Sequence, residues 1–287
     1  TYLNKALSVL HNIFRNKGSI DENEYQKVRF EEMHTVSVRT TRVPCNWKAT
    51  LDAFNETYHL PDVHPQTLTM NDDRNTEYSD LGWHTGMRSL FGLTGPDLKK
   101  PVSEDRILKD MTAALLAIRP GEASSFSEAA LKILDQPVPQ GKTAREVFAS
   151  MSRVVNAERG IDLSAFSDEE LVEDGGCHVF PNMKITTFPG SSYTFVIRPD
   201  GDNPESSLID AYLLQMPGSN DKPSRPMRVA YDPKPTAETW GEVMMQDFAN
   251  FPYVAEGLRS SVGEYLYIGG NEAALRRLHE NLERFMR

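Results

Sequence analysis

NWKATLDAFNETYHLPDVHP, residues 46–65, sets two of the chain's seven histidines five positions apart with a proline between them. Residues 46–59 read as a helix, because Trp47, Leu51, Phe54 and Tyr58 fall on one stripe. Asp52, Glu56 and His59 then share a row beside that stripe, since side chains three and four apart face the same way. Pro61 removes a backbone donor and forces Leu60 out of helical geometry. His59 is thereby expected at the helix end, and His64 beyond the break on irregular backbone. Five residues along an unbroken helix would point the two rings apart. The break lets them converge, as two ligands of one metal must. A bare pair with this spacing is common by chance, so a further ligand has to be found.

Asp247 is the candidate. In TAETWGEVMMQDFANF, residues 236–251, Trp240, Val243, Met244 and Asp247 recur at i, i+3, i+4 and i+7. That periodicity places a carboxylate on the apolar stripe, where it must be paired, protonated or bound to metal. The plainer alternatives are a snorkelling or N-capping Asp, or one paired with a buried arginine such as Arg259. Two histidines and one carboxylate are the facial triad of non-haem Fe(II) oxygenases, which leaves coordination positions open. The same donors suit Zn(II) with an activated water, and hence a hydrolase. Spacing leaves both open, together with a metal-free ligand-binding module.

The rest of the chain frames these residues. Its 287 residues carry 31 basic and 41 acidic side chains, a net charge of -10 that repels phosphate backbones and argues against nucleic-acid binding. No apolar run approaches the roughly 20 residues of a membrane span, and residues 1–14 lack the pattern of a signal peptide. Two cysteines, Cys45 and Cys177, make no disulfide framework, so the expected location is cytoplasmic. Helical spacing is read at 3–14, 103–118, 125–134, 144–158, 167–174, 236–251 and 271–287. In the last of these, Asn271 is the N-cap and Leu275, Leu278, Leu282 and Phe285 form one face. Thr239 with Glu242 is a possible capping box. Strands are read at 33–43, at 76–93 as a pair turning near Gly82, and at 177–188, 192–199 and 206–217. Helices and hairpins are segregated, which predicts an α+β fold with an antiparallel sheet and a helical insertion over about 97–174.

At this point a family resemblance enters. NWKATLDAFNETYHLPDVHP resembles the iron-binding segment of Rieske-type non-haem iron oxygenases, the large (alpha) subunits of ring-hydroxylating oxygenases. GCHVFPNMKIT, residues 176–186, is similar to that family's Phe-Pro-Asn strand, and MMQDFANFPYVAEGLRSS, residues 244–261, to its Asp-bearing helix. The terminal helix with His279 fits as well. The resemblance implies a helix-grip (START-like) fold, a curved antiparallel sheet over a long C-terminal helix. It implies Fe(II) held by His59, His64 and Asp247. It implies dioxygen activation that mono- or cis-dihydroxylates, or oxidatively demethylates, an aromatic or similar small organic substrate. Glu56, where many members have Asp, would link the iron site to a neighbouring subunit's cluster, with Asp52 in the same polar network. Asn182, His178 and His84 are the candidates for the substrate pocket. A homotrimer is implied, with NAD(P)H as the ultimate reductant through a reductase and a ferredoxin.

The departure from the family concerns the Rieske [2Fe-2S] cluster. It needs C-x-H and C-x-x-H pairs, whereas Cys45 precedes Asn-Trp and Cys177 precedes His-Val. The expectation is therefore an oxygenase catalytic domain over 1–287 with the Rieske domain upstream. Cys177 with His178 is no nucleophile–base pair, because adjacent strand residues face opposite ways. His11 and His34 read as ordinary surface residues, and no nucleotide-binding motif is present.

Overall fold

The structure, a computed structural model, describes residues 28–118, 132–133, 135–221, 227–229, 231–260 and 267–287. In chain order its main elements are β1 (His34–Val43), α1 (Trp47–Asp52), α2 (Leu60–Val63), β2 (Asn71–Leu81) and β3 (His84–Phe91). Then come α3 (Glu104–Ile118), α4 (Ala144–Arg159), β4 (Asp174–Val179), β5 (Met183–Phe188), β6 (Ser191–Asp200) and β7 (Asn203–Gln215). The last are β8 (Met227–Val229), α5 (Ala237–Trp240), α6 (Glu242–Arg259) and α7 (Ala273–Met286). The helices read at 3–14 and 125–134 lie outside the described residues, apart from 132–133.

One eight-stranded sheet runs β2-β3-β4-β5-β6-β7-β1-β8. Every pairing is antiparallel except β1 with the short β8. Strand residues alternate between two cores, as a period of two requires. On one face Tyr193, Phe195, Ile197, Ile209, Ala211 and Leu213 pack with Leu51 of α1, with Met244, Phe248 and Phe251 of α6, and with Leu278 and Leu282 of α7. On the other, Met183, Ile185, Val196 and Leu214 pack with Met111 of α3 and Phe148 and Met151 of α4. The expected α+β class is thus what the chain adopts. The long helix on the sheet is α6, however, and the shorter α7 follows it as the chain's last helix.

Local chemistry explains where several elements start and stop. Thr143 and Glu146 close a capping box at the start of α4, through bonds of 2.9 and 3.2 Å. The segment 167–174, expected to be a helix, forms turns instead. Ser167 and Glu170 cap a single turn, buried Leu171 and Val172 anchor it, and the chain must then extend into β4 at Asp174. The helix expected over 236–251 is broken at Gly241, whose φ of 84° belongs to backbone that a β-carbon disfavours. Its capping pair is Thr236 with Thr239 rather than Thr239 with Glu242. α7 is entered through a 3-10 turn at Gly270–Glu272 with Glu272, not Asn271, at the cap position, and Phe285 is exposed. The 177–188 stretch is a hairpin, β4 and β5, turning at the cis Phe180–Pro181 bond.

Asp52 ties α1 to α7. His279 Nε2 lies 3.0 Å from its carboxylate. That hydrogen bond raises the His279 pKa above its usual value of about 6.5; burial opposes it, the Asp52 and Glu283 charges add to it, and Lys48 opposes it. A folded pKa above the unfolded one means the pair stabilises fully below about pH 6.5 and is lost as pH rises through the folded value. The pair is partly open to solvent, so the contribution is about 1 kcal/mol. His279→Ala is therefore expected to lower stability by about that much at pH 6 and by less at pH 8.5. Urea unfolding at the two pH values measures it, and a gap that widens with pH would contradict the assignment.

Candidate metal centre

The break that positions the two histidines falls earlier than helical spacing predicts. α1 stops at Asp52 because Asn55 turns its side-chain amide onto the Leu51 carbonyl at 3.2 Å, while Asn55 N–H closes on the Asp52 carbonyl. The Asp52–Glu56–His59 row therefore does not form. Pro61 sits in the first turn of the four-residue α2, where its missing N–H costs nothing. His59 stands at the N-terminal cap of α2 and His64 at its C-terminal cap. One helical turn, not a disordered break, carries both rings toward the same point, their centroids 5.2 Å apart and their planes at 73°.

Asp247 projects into that point from the buried stripe of α6, flanked by Met244, Phe248 and Phe251. Its Oδ1 lies 2.9 Å from His64 Nε2 and 3.9 Å from His59 Nε2. One donor atom from each of the three residues lies within 4.8 Å of the others. Metal–ligand bonds of about 2.1 Å place neighbouring donors of an octahedral or tetrahedral ion about 3–3.5 Å apart. The donor set fits a divalent cation after shifts of a fraction of an ångström. Arg259 does not pair with Asp247; it reaches Glu205.

Both imidazoles are held in the tautomer that ligation needs. Glu56 Oε1 accepts from His59 Nδ1 at 2.5 Å and Oε2 accepts from the His59 backbone N–H at 3.1 Å. Burial by itself lowers the His59 pKa; the Glu56 hydrogen bond and the Glu56 and Asp247 charges outweigh it and hold the value above normal. His64 Nδ1 donates at 2.7 Å to Gln246 Oε1, which also accepts from Gln66 Nε2 at 2.7 Å. Each ring thus presents its Nε2 lone pair to the cluster, the arrangement that outer hydrogen bonds impose on metal-bound histidines. Gln246 and Gln66 carry no pattern that singles them out in sequence. Gln246→Leu should weaken metal affinity about tenfold and leave folding intact. Competition with a chelator measures it, and unchanged affinity would remove Gln246 from the site.

A cavity of about 200 Å3 opens beside the cluster. Glu56, His59, His64 and Asp247 line one side, and Phe54, Met87, Lys184, Phe188, Tyr193 and Phe195 line much of the rest. The three predicted pocket residues are placed otherwise. Asn182 staples the β4–β5 hairpin to β6, exchanging bonds of 2.9 Å with Ile197. His84 Nδ1 accepts from Phe180 N–H at 3.1 Å. His178 is buried, and that burial pushes its pKa down to about 3. Cys45 and Cys177 are both buried free thiols.

The geometry can be set beside known proteins. Residues 30–287 match the family model for the ring-hydroxylating alpha subunit (catalytic domain). The chain belongs to this family. As a ring-hydroxylating alpha-subunit domain it shares its fold with a quaternary ammonium Rieske monooxygenase described in connection with carnitine oxidation and inter-subunit electron transfer. That match has a TM-score of 0.50 at 10% identity over 93% of this chain and 55% of the other. Naphthalene 1,2-dioxygenase with indole in its active site superposes with a TM-score of 0.47 at 12% identity, over 91% of this chain and 57% of that one. The chain thus spans somewhat more than half the length of the solved structures it matches. A search of curated proteins finds no match. Among the described residues of the domain, no helix is long and apolar enough to cross a membrane.

Proposed function

We propose that this chain is the catalytic domain of a mononuclear Fe(II) oxygenase that hydroxylates a small organic substrate. The observation that carries the reading is the convergence of two Nε2 lone pairs and one carboxylate at the edge of an apolar cavity. It occurs in a chain of the ring-hydroxylating family. Fe(II) held by His59, His64 and Asp247 supplies the dioxygen chemistry.

The chain's own residues do the rest. Glu56 and Gln246 keep protons on the two Nδ1 atoms, so that both Nε2 atoms remain donors. Phe54, Phe188 and Phe195 keep the cavity dry and seat the substrate's apolar body against the donor cluster. Electrons come from outside residues 1–287, from a Rieske [2Fe-2S] domain supplied by NAD(P)H through a reductase and a ferredoxin. Glu56 is assigned to the subunit boundary of a homotrimer, where its contact with His59 couples the site to a neighbour.

Metal analysis of protein purified without added metal is the test. Iron at about one ion per chain, with hydroxylated product formed only when dioxygen and reductant are present, supports the reading. Stoichiometric zinc, with hydrolysis that needs no dioxygen, would overturn it.

A further inference from the structure

α7 and the β2–β3 hairpin enclose a cleft that the donor cluster does not use. Asn281 Nδ2 donates to the Gly82 and Trp83 carbonyls at 3.2 and 3.3 Å, and Arg277 Nε donates to Asp80 Oδ1 at 3.2 Å, so the helix is tied across the hairpin turn. Beside these ties lies a space of about 400 Å3. Tyr78, Asp80 and Thr85 form its floor, and Arg276, Arg277 and Glu280 form its roof. Each set shares one face of its element. Tyr78 and Asp80 alternate along β2, Thr85 is the cross-strand partner of Asp80, and the three α7 residues lie within one helical turn. Ala273, one turn earlier on α7, adds only a methyl group to the lining, which leaves the cleft open. The cleft shares no lining residue with the cavity beside His59, His64 and Asp247.

Two groups in this lining are uncommitted. Thr85 is only 4% exposed, yet its Oγ1 is buried without a hydrogen-bond partner. Its neighbour across the strands, His178, does not supply one, since the His178 Nδ1 is likewise unpartnered. A buried hydroxyl costs stability until a partner reaches it, and such groups are rare in folded proteins. The second group is a cation at the roof. Arg277 is taken by the two acids of the cleft: its Nε and Nη2 donate to Asp80, and its Nη1 lies 3.5 Å from Glu280 Oε2. Arg276 is exposed and pairs with no acid among the described residues. Tyr78 adds no charge. Burial, with the Glu56 charge adding to it, holds its phenol above the usual pKa, and its Oη donates to the Asn271 carbonyl at 2.8 Å.

A guanidinium fork matches a carboxylate or a phosphate. Asp80 and Glu280 repel a dianion, whereas a single carboxylate is balanced by Arg276. The Thr85 hydroxyl, which can donate and accept, calls for a second polar group on the same ligand. We infer that the cleft between α7 and the β2–β3 hairpin is a second small-molecule site, which takes a hydroxy- or oxo-carboxylate whose carboxylate pairs with Arg276 and whose hydroxyl or carbonyl oxygen bonds Thr85 Oγ1. The inference does not rest on the oxygenase reading, because none of its residues belongs to the donor cluster or its cavity.

The test is calorimetric titration of the 287-residue chain with lactate, pyruvate and 4-hydroxybenzoate. Propionate and benzoate serve as parent acids without the second polar group, and inorganic phosphate serves as the dianion. At least one of the first three should bind about fivefold or more tightly than its parent acid, about what one hydrogen bond supplies, and more tightly than phosphate. Arg276→Gln should weaken that binding about tenfold or more, and Arg276→Lys should recover part of it. Thr85→Val should bring the ratio to the parent acid near unity. Without added acid, Thr85→Val should also melt at or above the wild type, because valine removes a hydroxyl that nothing satisfies. Failure of all three acids to bind, parent acids or phosphate that match them, or affinity unchanged in Arg276→Gln would each overturn the inference, the last by placing the acid elsewhere, the metal cavity included. Thr85→Val that melts well below the wild type or does not fold would overturn it too, by showing that the hydroxyl has a partner inside the fold.

Discussion

Asp247→Ala is expected to fold normally and to retain almost no iron. Removing a group that only orients a ligand costs about 10–100-fold in metal affinity, so removing the ligand itself should cost more than about 100-fold. The effect on the metal-free protein should run the other way. Asp247 is a carboxylate on a helix stripe whose neighbours are Met244, Phe248 and Phe251, and burying such a charge is unfavourable without a cation to compensate it. Metal-free Asp247→Ala should therefore melt at or above the metal-free wild type, while losing the stabilisation that bound iron gives the wild type. Iron assay after desalting, with thermal melts of both forms, measures the two effects together. A variant that keeps its iron would mean that the 2.9 Å contact to His64 is an ordinary structural hydrogen bond.

How much of this was legible in sequence depends on the range of the interaction concerned. The three residues that converge were, because each leaves a local trace: two histidines around a proline, and an acid where a 3.6-residue period demands an apolar residue. The sheet was legible in outline because residues alternate in β1 and because apolar and β-branched residues cluster in β6 and β7, where burial on both faces leaves no clean alternation. The route that brings these residues together was not. The apolar stripe from Trp47 to Tyr58 imitates a continuous helix, but Asn55 captures the Leu51 carbonyl and ends it seven residues before His59. Asp52 was thus read into a row with Glu56, when its partner His279 lies 227 residues away. Gln246 was invisible for the same reason. A glutamine beside an aspartate acquires meaning only once α6 faces α2. Asn182 shows the converse error, since proximity to a recognised motif placed it in a pocket while its amide secures a hairpin.

Trp240→Ala is expected to cost about 3–5 kcal/mol, the usual loss for a fully buried aromatic side chain. The indole is 0% exposed, meets the Phe248 ring edge-on at 5.3 Å, and donates Nε1–H to Asp232 Oδ2 at 3.0 Å. It occupies the last position of α5, directly before the Gly241 break at which α6 begins. A cavity there loosens the start of the helix that delivers Asp247, five residues further on. Iron affinity should fall with stability, although Trp240 touches no ligand, because donor positions displaced by about 1 Å no longer close on one ion. Trp240→Phe refills most of the volume but forfeits the bond to Asp232, so about 1–2 kcal/mol should remain lost. Its iron affinity should sit close to the wild-type value, because the packing that fixes the start of α6 is largely retained. Urea unfolding and chelator competition on both variants test the chain of cause from core to ligand. Trp240→Ala unfolding within about 1 kcal/mol of wild type, or losing stability without loosening the metal, would show that α6 is held in register from its other end.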